Sequence, residues 1–381
     1  MPGSISNAPF DEPLMQVRRD FRVDWYRCPI DRSKLLSLMK PSDMKGWYQA
    51  IGHLMIFFMT GLVTVYFFSQ KNWIGFAAAL FAHGTVGSFF RLAVHELAHG
   101  TVFKTKWLNQ LFLRIYSLLG WWNFHEYAMS HTYHHRYTLF PRGDREVVLP
   151  REPSVKAFYL LQLFTLNVFG GLESSGLIPI VKGTVTIACG GYDESKREWI
   201  QSLYKDHPIA RKQAVNWARL ILVFHLGVLA LSILLQFWLL FLLVSLHLFF
   251  GNWLRYFVGM PMHSGLRSTV TDFRKCVRTI KLDPISEFLY WHMNWHLEHH
   301  MYAGVPCYNL KKLHTEIAHD MPRPRSLFGA WREMRKTWKH QQINPRYEYD
   351  TPIPAATVRS DKEMDDIASS IGDITPEALK G

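Results

Sequence analysis

The chain has few cysteines and no arrangement of them that does chemistry. Cys28, Cys189, Cys276 and Cys307 are widely separated, with no C-x-x-C pair. That argues against a disulfide framework, a cysteine zinc site and a thiolate-held iron–sulfur or haem centre; all four read as plain buried or surface residues. A G-x-G-x-x-G nucleotide loop and a His-Pro-Gly-Gly haem motif are also missing, so any electrons this chain uses are expected to come from another protein. No leader-like segment opens the sequence: Met1 to Pro41 is polar and charged, with Arg18, Arg19, Arg22, Arg27, Arg32 and Lys34, and the N-terminus is expected in the cytosol. Acidic charge is in short supply, 31 Asp and Glu against 43 Lys and Arg, for a net charge of +12. Such an excess suits a nucleic-acid binder or a protein lying against anionic lipid. The apolar blocks favour lipid, and no nucleic-acid partner is expected.

Those blocks account for much of the 48% hydrophobic and 15% aromatic content. Four stretches approach the ~20 residues a membrane crossing requires. Trp47 to Phe68 and Trp73 to Val94 are separated only by Ser69-Gln70-Lys71-Asn72 and read as a helical hairpin. Trp217 to Phe257 is too long for one crossing; Gln236, its most polar point midway, is expected near a second hairpin turn that neither Gly nor Pro marks. The segment between the hairpins carries Lys104, Lys106, Arg114, Arg136, Arg142, Arg145, Lys196, Arg197, Lys205, Arg211 and Lys212, and the chain after the second hairpin is equally basic. By the positive-inside rule both termini and this central segment are cytosolic. The expected architecture is an all-α integral membrane fold, four transmembrane helices in two hairpins beneath a cytosolic helical cap. Residues 1–46 are expected to form a cytosolic N-terminal segment, 47–340 the membrane domain, and 341–381 a polar, disordered tail. Leu108 to Trp122 and Ala157 to Ala188, the latter broken by Gly170-Gly171, Glu173 and Ser174-Ser175-Gly176, read as helices in or near the interface. A fifth crossing between Ala157 and Pro179 is the alternative. Arg323 to Lys339, with Trp331 and Trp338, reads as a basic helix at the lipid surface.

Nineteen histidines are present, and their placement matters more than their number. His95-Glu96-Leu97-Ala98-His99 puts two imidazoles at i, i+4. His131-Thr132-Tyr133-His134-His135 and His296-Leu297-Glu298-His299-His300 each put three at i, i+3, i+4. On a helix these spacings project side chains from one face, within reach of a shared ion. Eight imidazoles are too many for one four-coordinate zinc. With little carboxylate and no thiolate, they suit two borderline metals able to change redox state, and iron is favoured because open positions on it can take O₂. The first cluster also fits H-E-x-x-H, the zinc-protease signature with Glu as general base, but a protease would leave six histidines of the other clusters without employment.

These residues resemble the membrane fatty-acid desaturase and hydroxylase superfamily. Ser130 to Tyr137 followed by Gly143-Asp144 looks like its second box and acidic turn. Arg278-Thr279-Ile280, Trp291 to His300, Val305 to Leu310 and Leu313-His314 look like its third-box region, and the likeness spans about Trp47 to Asp320. The resemblance implies a four-span, mushroom-shaped helical fold with a cytosolic di-iron centre and a substrate tunnel entering from the membrane. It implies His95, His99, His131, His134, His135, His296, His299 and His300 as ligands. His263, in Gly259-Met260-Pro261-Met262-His263, falls where a ninth is expected, although the Asn or Gln often found just before it is absent. His125 and His292 are expected in supporting or ordinary hydrogen-bonding roles, and His225 and His247 in hydrogen bonds between helices. The implied activity is O₂-dependent oxidation of an acyl lipid or similar apolar substrate, foremost by desaturation, with membrane hydroxylation of a lipid, carotenoid or other apolar metabolite as the alternative. The implied electron donor is a cytochrome b5 or ferredoxin with its reductase. The membrane would be the endoplasmic reticulum in a eukaryote and the inner membrane in a bacterium.

Overall fold

The computed structural model describes residues 13–147, 155–170 and 176–354. These residues are mostly helical, and three helices are long and apolar enough to cross a membrane: Asp43–Ser69, Trp73–Ala98 and Pro208–Leu234. The first, α1, starts where the Ser42 side chain accepts from Lys45 N at 3.5 Å and Asp43 occupies the first turn. At ~1.5 Å per residue its 27 residues are ample for a ~30 Å hydrocarbon layer. One face of α1, including Met55, Phe58, Met59 and Leu62, is exposed although wholly apolar. Such a surface is stable against lipid rather than water. Lys71 takes a left-handed φ of 54° in the tight turn that follows. Asn72 then caps the second span by accepting from Gly75 N at 2.9 Å. That span bends at Phe89 into α2 (Trp73–Ser88) and α3 (Phe90–Ala98).

Beyond it come α4 (Lys106–Leu119) and α5 (Phe124–Tyr137). The stretch Ala157 to Ala188 forms α6 (Ala157–Phe164) and α7 (Leu177–Ala188). Neither is long enough to cross a membrane, which disfavours a fifth crossing here; Gly171, Glu173, Ser174 and Ser175 lie outside the described residues. After α8 (Arg197–Tyr204), the third long helix is α9 (Pro208–Leu234), opened by its proline. The chain reverses at Gln236, whose φ is 51°.

The return limb differs from the continuous fourth span expected from hydropathy. It comprises α10 (Leu239–Ser245), a 3-10 turn over His247–Phe249 and α11 (Trp253–Gly259). The break is at Phe250 to Asn252, where Gly251 has φ 57° and the backbone pairs with the chain after α6. Gly251 N donates to Thr165 O at 3.1 Å, and Asn167 N donates to Phe249 O at 2.7 Å. The limb also lies so close to α2 that a Cβ on Gly84 would sit 2.0 Å from Phe250 O. Hydropathy reports how apolar a segment is; it does not report that other backbone has replaced its helical hydrogen bonds.

The remaining elements that matter for the site are α12 (Phe273–Cys276), α13 (His296–Met301) and α14 (Leu327–Ile343). A main core joins buried residues of α1, α3, α4 and α5 to the chain from Leu289 to Met321. Part of the polar tail, Asn344 to Pro354, is described and packs back on the protein. Tyr349 N donates to Gly265 O at 2.7 Å and Lys275 Nζ to Asp350 Oδ1 at 2.7 Å. Residues 1–12 and 355–381 lie outside the described residues.

Candidate metal centre

Three helices and one loop bring nine buried or nearly buried imidazoles together. His95 sits on α3 and His99 caps it. His131, His134 and His135 lie in the last turns of α5, and α13 carries His296, His299 and His300. His263 follows a 3-10 turn over Met260–Met262. The turn before α13 is unusual: Trp291 and His292 both have left-handed backbone, φ 53° and 57°. It is pinned by the Trp291 indole N–H, which donates to His53 Nδ1 on α1 at 2.9 Å.

The nine imidazoles form two groups, each with ligand atoms within 4.8 Å of one another. The first is His95, His99, His131, His135 and His299; the second is His134, His263, His296 and His300. The groups are adjacent, with the His135 and His300 rings stacked at 4.4 Å. The division departs from the expectation that each triple shares one ion. Successive helical residues are about 100° apart, so i+4 lies about 40° from i on one flank and i+3 about 60° from it on the other, and the two flanks of one face can reach different groups. His131 and His135 accordingly share a group and His134 crosses to the second; His296 and His300 share a group and His299 crosses to the first.

Hydrogen bonds at the rear nitrogens fix the tautomers. His95 Nδ1 donates to Glu96 Oε1 at 2.8 Å, His131 Nδ1 to Glu146 Oε1 at 2.9 Å and His134 Nδ1 to Asp144 Oδ2 at 2.9 Å. His263 Nδ1 donates to Cys276 O at 3.0 Å. Thr138 gives its hydroxyl proton to His134 O at 2.6 Å, so its oxygen accepts from His300 Nδ1 at 3.1 Å. Each of these imidazoles, when neutral, therefore carries a lone pair on Nε2. Those lone pairs face one another. His296 Nε2 lies 3.0 Å from His263 Nε2 and 3.1 Å from His300 Nε2, and it has one proton at most to offer the two. In the first group His135 Nε2 is 2.9 Å from His131 Nε2 and 3.1 Å from His299 Nε2. His95 Nε2 and both ring nitrogens of His99 are buried with no hydrogen-bond partner. Converging buried lone pairs are costly without a cation between them, so the donor set fits a metal in each group.

Electrostatics favour the neutral, metal-binding form. Burial first, and the neighbouring imidazoles second, push His131, His135, His296, His299 and His300 well below the ordinary histidine value. At His134 burial acts in the same direction, but the Asp144 carboxylate outweighs it and raises the pKa. With a cation on Nε2, the same hydrogen bond makes the ring a stronger donor.

Of these supporting groups, Asp144 of the Gly143-Asp144 turn stood out only through the resemblance, and Glu96 only as the general base of a protease reading. Glu146, two residues further in that turn, also accepts from Ser130 Oγ at 2.6 Å. Glu96, the general base in a protease reading, faces His95 and lies 3.8 Å from His299 Nδ1. Glu298 accepts from Thr279 Oγ1 and His314 Nδ1, both at 2.5 Å. Acidic residues beside or just after each box were the available signal. The other expected histidines stand outside both groups. His125 stacks on Phe124 at 4.1 Å, and His292 Nδ1 reaches Glu287 Oε1 at 3.2 Å. His225 joins Ser245 Oγ at 2.9 Å to Leu118 O at 3.0 Å, and His247 Nδ1 donates to Val244 O at 3.1 Å in its own turn. All four cysteines are free, with Cys189 alone exposed.

The fatty acid desaturase family model matches residues 71–331. No curated protein matches the chain. The match takes in more than half of the sequence and all nine histidines, together with the second and third membrane-length helices. The chain belongs to the fatty acid desaturase family, and is thus an integral membrane oxidoreductase of the lipid desaturase and hydroxylase type with buried histidine clusters suited to metal.

Proposed function

We propose that the two histidine groups hold one iron each and that the protein is an O₂-dependent desaturase of an acyl lipid or similar apolar chain. The convergence of Nε2 lone pairs into groups of five and four carries this reading. A metal is required because an unactivated C–H bond offers no acidic proton to a side-chain base. When bound, the iron pair supplies the O₂ chemistry that removes hydrogen, using two electrons from a cytochrome b5 or ferredoxin. The chain's part is to bring the nine imidazoles together, orient five of them through Glu96, Asp144, Glu146, Thr138 and the Cys276 carbonyl, and keep the centre away from water.

In the same reading, residues 47–340 are the catalytic unit and the return limb from Leu239 to Gly259 is the fourth crossing. Non-helical backbone is tolerated at membrane depth where protein covers it, and Thr165 to Asn167 cover the break. The basic segments support a cytosolic histidine centre and cytosolic termini in this reading, on the endoplasmic reticulum in a eukaryote or the inner membrane in a bacterium. The exposed cations Arg332, Arg335 and Lys336 on α14 suit an acidic electron donor.

The test is expression in a host of defined lipid composition, with metal analysis of the purified protein and mass spectrometry of the lipids. The expected result is about two irons per chain and a product lighter by two hydrogens. A product heavier by one oxygen replaces desaturation with hydroxylation. One zinc with peptide cleavage would sink the reading.

A further inference from the structure

Eight of the nine histidines stand on or cap helices that also build the core, whereas His263 is held by a loop. That loop, Pro261 to Ser268, is gripped from two sides. On the inner side lies the segment Cys276 to Arg278. Its Cys276 carbonyl accepts from His263 Nδ1 at 3.0 Å, and Arg278 N donates to Met262 O at 2.9 Å. The buried Arg278 guanidinium donates through Nη1 to Pro261 O and to Ser264 O, the latter at 3.2 Å. On the outer side lie α14 and the chain after it. Glu333 on α14 accepts from Arg278 Nη2 at 2.7 Å and Nε at 3.0 Å, and its second oxygen accepts from Arg325 Nε at 3.0 Å. Glu348 accepts from Ser268 Oγ at 2.5 Å and Ser268 N at 3.1 Å.

We infer that Arg278 and Glu333 are positioning residues for the four-histidine group, a clamp by which α14 holds the His263 loop in ligating geometry. The physical reason is the single guanidinium. Its Nη1 edge is spent on the two carbonyls that flank His263, and its Nε–Nη2 edge is spent on Glu333. Removing the Glu333 charge leaves a buried cation uncompensated. Arg278 must then turn toward another partner or water and release the carbonyls. The first group takes its ligands from α3, α5 and α13, with Glu96 and Glu146 behind them. The clamp rests on the proposed metal reading, and it ties one group selectively to a surface helix.

The test is a competition titration of the full-length protein in detergent, with Fe(II) or Co(II) as the probe and a chelator as competitor. The unaltered protein is expected to show two metal-binding phases. Glu333→Gln is expected to weaken one phase by about 10–100-fold, the range for groups that orient ligands, and to leave the other in place. Arg278→Lys keeps the charge but loses the planar fork, and is expected to weaken the same phase. Lys339→Gln, at an exposed position of the same helix, is expected to shift neither. Should Glu333→Gln not fold, Glu348→Gln tests the same loop from its far end, with a smaller shift of the same phase expected. Unchanged phases in the clamp variants, or equal weakening of both phases, would overturn the clamp while the metal reading stands. Absence of two phases in the unaltered protein would instead overturn the metal reading.

Discussion

The two histidine groups are built from the same side chain but held in different ways. The first takes all five imidazoles from α3, α5 and α13, and two of the three carboxylates behind the ligands, Glu96 and Glu146, face it. The second has four imidazoles, one carboxylate in Asp144, and one ligand that hangs on a loop. Helical ligands inherit their geometry from packing that would exist without a metal. A loop ligand has to be held by contacts arranged for it. The second group is therefore expected to be the weaker one and the more easily disturbed.

The strongest test removes one ligand from each group. His300→Ala leaves three imidazoles in the second, whereas His299→Ala leaves four in the first. Product formation is expected to be lost in both, but iron analysis should show one metal lost from His300→Ala and both retained, with faster exchange, in His299→Ala. Equal losses would break the comparison. Next come the carboxylates: Asp144→Asn and Glu146→Gln are each expected to weaken one group by about 10–100-fold. Asp144 should cost more, because it also accepts from Leu139 N and Glu146 N, both at 2.9 Å; metal titration of each variant checks the order. Reversing the charges of Arg332, Arg335 and Lys336 should slow electron transfer several-fold at low salt and leave metal content unchanged. Stopped-flow reduction by the donor measures this, and an unaltered rate counts against docking there. The smallest effect on the metals is expected from His225→Phe. It breaks the link between Ser245 and Leu118 and strands the buried Ser245 hydroxyl, at about 1–3 kcal/mol, while Leu118 O keeps its bond from Trp121 N. A lower Tm with both metals retained is the outcome to look for, and metal loss would contradict a purely structural role for this intramembrane histidine.

Much of the site was legible because helical spacing is a local property. His95, His99, His131, His134, His135, His296, His299 and His300 stand out from their intervals alone, and the first two membrane-length helices from their apolar runs. His263 carries no interval to read; only its place in a resemblance singled it out. The return limb misled in the opposite direction. Its composition is that of a span, yet Gly251 and the backbone of Thr165 to Asn167 interrupt the helix. Long-range replacement of helical hydrogen bonds leaves no trace in composition.

The sequence by itself determined which imidazoles are presented and at what angles, since i, i+3 and i+4 on a 3.6-residue helix fix the side each one faces. Only the tertiary structure decided which of them meet. His134 leaves its box to join His263, His296 and His300, and His299 leaves its own to join His95, His99, His131 and His135. That exchange depends on the fold bringing the imidazoles of α5 and α13 face to face, between residues more than 160 positions apart in the chain. Spacing sets direction locally, but the partner a side chain faces is set by packing.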